Sequence, residues 1–67
     1  MTAATRSLLF TIARAAVAKA GGPEALAAAL GRRSLPTHLW ARIPAHLVAD
    51  VSRLTGVPAR SLRPDLA

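Results

Sequence analysis

Apolar positions in the first twenty residues recur with the period of an α-helix. Leu8, Leu9, Ile12, Ala13, Ala16, Val17 and Ala20 fall on one continuous face, with Arg14 and Lys19 outside it. Gly21-Gly22 ends this helix, and Pro23 suits the first turn of a second, where its missing N–H costs nothing. That second helix, about residues 23–30, places Leu26, Ala27 and Leu30 inward and stops at Gly31. After Arg32-Arg33, Ser34 is suited to cap a third helix and Pro36 fits its first turn. This helix is predicted over about residues 34–42, because Ile43 precedes Pro44 and is biased away from the α region. Pro44 opens a fourth, with Leu47, Val48, Val51 and Leu54 as its apolar stripe and Gly56 as its end. The tail has room for one helical turn between Pro58 and Pro64. No stretch alternates as a strand does. The expectation is a single all-α domain over residues 1–67, small and compact, with four to five helices.

Composition narrows the range of activities. Among 67 residues there are sixteen alanines, which leaves 19 larger apolar side chains. That builds a compact helical core but not a two-layer enzyme with a deep pocket. Two histidines, three acids and no cysteine offer no nucleophile–base–orienter set and no thiolate zinc site. The reading is therefore a non-enzyme with no cofactor and no metal. His46 and Asp50 stand at i, i+4 on the fourth helix, where a surface ion pair is the simpler reading than half of a metal site. Arg6 and the apolar run after it look like the start of a signal peptide. Arg14 cuts that run short, and no segment is long enough to span a membrane. The chain is read as cytoplasmic and unprocessed.

Charge points to a partner. Nine basic side chains, eight of them arginine, against three acids give a net charge of +6. Guanidinium is a planar fork of donors matched to phosphate, so such an excess favours polyanions. Two short helices joined through Gly31 have the form of a helix-turn-helix. Ala27, four residues before the turn glycine, supplies the small side chain where the helices cross. On this reading Arg32 and Arg33 meet phosphate or a base edge, against the alternative of a solvated turn. Thr37 and His38 lie on the outward early half of the third helix, where bases are read. His38 is equally explicable as a surface histidine. Ser34 is chiefly a cap and secondarily a phosphate contact. Leu35 either packs or meets a thymine methyl. Arg42 either reaches the backbone or complements the helix dipole, and Trp40 belongs to the core.

The run Ala20-Gly21-Gly22-Pro23-Glu24-Ala25-Leu26-Ala27-Ala28-Ala29-Leu30-Gly31 resembles the opening of the Cro-like and YdaS-like regulators of phages and toxin–antitoxin modules. Trp40 with Ile43-Pro44-Ala45, then Leu54-Thr55-Gly56 and Leu62-Arg63-Pro64-Asp65, are similar to later elements of that family. The resemblance covers roughly residues 8–66. It implies a lambda-repressor-like fold and a transcriptional repressor, often a dimer on double-stranded operator DNA, with the third helix in the major groove. The chain departs from the family at Arg32, where an aliphatic residue is usual, and at Arg33, where a serine is common. The Trp40–Ile43 connection is also about one residue short. These departures imply a lengthened turn and a shortened recognition helix.

Two other readings compete. One is an interaction protein, an antitoxin or phage modulator, that keeps the scaffold but binds a toxin or another protein and DNA only weakly. The other is a membrane-surface peptide driven by the first helix. The fourth helix's stripe argues against it, since that stripe needs the first helix as its cover. The tail from Val57 to Leu66 is the expected dimer contact.

Overall fold

The computed structural model describes residues 2–66. Helix α1 (Ala3–Lys19) begins before its apolar stripe does, because Thr2 caps it: the Thr2 hydroxyl accepts the Thr5 amide at 3.1 Å. It ends in a Schellman turn, with the Gly21 amide on the Ala18 carbonyl at 3.1 Å and the Gly22 amide on the Val17 carbonyl at 2.9 Å. Helix α2 (Pro23–Ala29) follows at once with proline in its first turn. Its exit repeats the device: the Gly31 amide bonds the Ala28 carbonyl at 3.1 Å and the Arg32 amide the Ala27 carbonyl at 2.9 Å.

Residues 34–42 do not form the expected helix. They hold one 3-10 turn, Thr37–Leu39, between irregular stretches. Pro36 supplies the reason. It sits at φ −79°, ψ 57°, with the Thr37 amide bonded to the Leu35 carbonyl at 2.8 Å. That is an inverse γ-turn, and its positive ψ takes the chain out of helical geometry. Trp40 is extended at φ −75°, ψ 116°, and Pro44 blocks continuation beyond it. Ser34 caps nothing here; the residue before the 3-10 turn is Pro36, and no side chain caps it.

The fourth predicted helix arrives in two parts. A 3-10 turn, Ala45–Leu47, follows Pro44 and passes into helix α3 (Val48–Thr55). The Thr55 hydroxyl donates to the Val51 carbonyl at 2.8 Å and accepts the Val57 amide at 3.2 Å. The Ser52 hydroxyl donates to the Val57 carbonyl at 2.6 Å. These bonds turn the chain at Gly56 into α4 (Ala59–Leu62), and a last 3-10 turn follows at Pro64–Leu66.

Helices α2, α3 and α4 all pack on α1. The buried side chains are Leu9, Ala13, Ala16 and Val17 from α1, Leu26 and Ala27 from α2, Ile43, Leu47, Val48 and Val51, and Leu62 from α4. Ala13 and Ala16 let neighbouring backbones approach closely, while Leu26 and Ile43 carry the bulk. A Leu or Ile buried as fully as these contributes about 1.5–3 kcal/mol by leaving water. Trp40 and Leu35 are partly buried against this cluster. Two residues of the expected stripes fall outside it: Leu8 is 52 % exposed, and Leu54 is also exposed. The covering helices are short, so they cover a narrower face than the periodicity offers. Among the described residues the secondary structure is helical throughout, with no strand, and no helix is long and apolar enough to cross a membrane.

Candidate nucleic-acid interface

The Schellman exit of α2 is what positions the predicted contact residues. With the Arg32 amide tied back to Ala27, the chain reverses and runs along α2 instead of away from it. Arg32, Arg33 and Ser34 are exposed, and Leu35 turns inward to anchor the segment. Together with Pro23, Glu24, Ala27 and Ala28 these four residues line an open cleft of about 380 Å³. Among the described residues neither Arg32 nor Arg33 has an acidic side chain in ion-pair range. Glu24 is the one acid lining the cleft.

The remaining predicted residues are placed differently. Thr37, expected on an outward face, is 4 % exposed. The tight 3-10 turn directs it into the protein, and His38 and Leu39 outward. The turn is moored to α1: Arg14 Nη2 donates to the His38 carbonyl at 3.2 Å, and the Arg14 guanidinium carbon lies 4.9 Å from the centroid of the Phe10 ring. Arg42 is exposed in a bend, not at a helix end, and its charge helps to hold the Asp65 carboxyl down. Arg32, Arg33 and Ser34 thus share one surface, with Leu35 as their inward anchor, while Thr37 is separated from them by burial.

Two acids have partners that spacing did not reveal. Asp50 pairs with Arg53 (Oδ1 to Nη2, 2.8 Å) and not with His46. Arg53 is a mobile-length side chain within one turn, and the pair is largely exposed, so it contributes little to stability. Asp65 accepts two bonds from Arg63, Nε to Oδ1 at 2.8 Å and Nη2 to Oδ2 at 2.7 Å. Arg63 Nη1 also donates to the Ile43 carbonyl at 2.7 Å. Only 7 % of Arg63 is exposed, so this arginine belongs to the core and not to the basic surface. The hydrogen bond and charge of Asp65 raise the Arg63 pKa against burial, and Arg63 lowers that of Asp65. Within the tail, Leu62 and Arg63 are buried in the chain itself, while Arg60, Ser61 and Leu66 face out.

Phe10, Arg14 and Arg63 are the residues sequence reasoning missed. Arg63-Pro64-Asp65 carried a weak signal, since an arginine and an acid across one proline are well placed for a fork. Arg14 carried none, because its partner is a backbone carbonyl 24 residues away. No protein-family model, curated protein or solved structure matches the chain.

Proposed function

We propose that the protein is a cytoplasmic DNA-binding transcriptional regulator that grips the duplex backbone through the segment from Arg32 to Arg42. The observation that carries this reading is the pair Arg32-Arg33, exposed and without an acidic partner among the described residues, on a backbone locked by the Schellman turn. Guanidinium groups on a pre-set backbone suit phosphate oxygens with little ordering cost. In this reading α2 and the 37–39 turn form a lambda-repressor-like helix-turn-helix whose second helix is cut to one turn. Phosphate contact then dominates, and base reading falls to His38 and Arg42, since Thr37 is buried.

The test is binding-site selection from random duplex DNA at about 150 mM salt, with salt titration of the wild type and of the Arg32→Ala/Arg33→Ala double variant. The expected result is binding that the double variant weakens on every sequence alike. An enriched palindrome would add a dimeric operator site. Undiminished binding by the double variant would overturn the assignment of this surface. No binding even at low salt would overturn DNA as the partner and leave the protein-interaction reading, which the shortened third helix favours.

A further inference from the structure

The N-terminal half of α1 and Ala41 border an open cleft of about 440 Å³, lined by Arg6, Ser7, Phe10, Thr11 and Ala41. Phe10 in this lining is 46 % exposed, and Leu39, outside the lining but next to the His38 that Arg14 moors, is 73 % exposed. An aromatic ring left in water at a notch, with an exposed leucine on the neighbouring turn, is the making of a protein contact. Arg14 lies over the Phe10 ring and spends one donor on His38, so further N–H groups of its guanidinium remain to be used. Arg6 stands at the rim.

Charge decides what fits there. The three acids of the chain are Glu24, Asp50 and Asp65, and none lines this cleft. A second copy docked by two-fold symmetry would set Arg6 and Arg14 against the same two arginines. A DNA duplex would satisfy the arginines but offers little to Phe10 and Leu39. A lipid surface needs a broad apolar face, and here there is one ring in a notch and one leucine on the turn next to it. We propose that this cleft docks an acidic segment of another protein, one that seats an apolar side chain on Phe10 and Leu39 and carboxylates on Arg6 and Arg14. Carboxylate matches the guanidinium fork in geometry as well as sign.

The test uses the full chain and a fluorescein-labelled peptide with leucines and glutamates on one helical face. Two matched peptides carry serine for leucine or glutamine for glutamate. Anisotropy should show micromolar binding of the parent peptide and a loss of about tenfold or more for each matched peptide. Phe10→Ala and Leu39→Ser should each weaken the parent peptide by about tenfold, while Arg60→Ala leaves it unchanged. Both altered residues are exposed, and either variant suffices if the other fails to fold. Equal binding of the serine peptide would reduce the effect to general attraction between opposite charges and overturn the proposal. So would unchanged binding by Phe10→Ala and Leu39→Ser. If these variants instead lose duplex DNA or phosphatidylglycerol vesicles in the same proportion, the surface belongs to nucleic acid or lipid.

Discussion

Gly31 leaves α2 at φ 70°, with nothing within 4 Å of where a Cβ would stand. Space is thus no obstacle to a side chain, and the cost of one is purely conformational. Gly31→Ala should destabilise the protein by about 1–2 kcal/mol, read as a lower urea midpoint. An equally stable variant would show that the turn relaxes out of the left-handed region. Arg63 works by a different mechanism, as a buried cation that satisfies both Asp65 and the Ile43 carbonyl. Arg63→Gln strands that carbonyl, at a cost of about 1–3 kcal/mol. Asp65 has its folded pKa lowered chiefly by the Arg63 hydrogen bond. Its contribution is therefore present above the unfolded aspartate pKa of about 3.9 and is lost as pH falls through the folded value. Urea midpoints measured from neutral pH downward should fall in acid for the wild type, and by less for Asp65→Asn. Parallel curves would place the acid sensitivity elsewhere.

Among the elements, the helices whose boundaries depend on local chemistry appear where the residues put them. Pro23 and Gly31 bracket α2, and Gly56 ends α3. The segment 34–42 fails because its two helical cues conflict with each other. Pro36 is welcome in a first turn only if its ψ is helical, and here ψ is 57° with a γ-turn bond across it. Pro36→Ala restores an amide and relieves the restriction on Leu35. Far-UV circular dichroism should then gain the equivalent of about two helical turns. An unchanged spectrum would mean that the burial of Thr37 and the Arg14–His38 bond, not the proline, hold the segment as it is. His46–Asp50 teaches a related lesson at this scale: two spacings, i+3 and i+4, both place a partner within reach of Asp50, and Arg53 took it.

Across the whole molecule, pairing redistributes the charge without changing its sum. Arg53 and Arg63 take up Asp50 and Asp65, so Glu24 is the one acid outside these pairs. What remains is an almost uniformly basic surface, with Arg32-Arg33 beside α2 and Arg6 and Arg14 beside Phe10. For the proposed DNA contact this field predicts a steep salt dependence. Removing Arg32 and Arg33 should lower the slope of log K against log salt by about 1.8, if each meets one phosphate. A slope that stays the same would assign the binding to the rest of the field. The small core bears on the same question. With alanine filling much of α1's buried face, few large side chains hold the domain together, so an exposed ring and leucine are costly to leave unused.

The helical character, the breaks at Gly21-Gly22, Gly31 and Gly56, and the basic excess were determined by sequence alone. Each depends on the chemistry of a residue and its neighbours within about one turn. Tertiary structure decided the rest. Thr37 is buried, Arg63 left the surface for the core, and Phe10 became part of a cleft's lining. The bonds responsible join residues 20 and 24 positions apart, Arg63 to Ile43 and Arg14 to His38. Both end on backbone carbonyls, which every residue possesses, and so no side-chain pattern along the chain announces them.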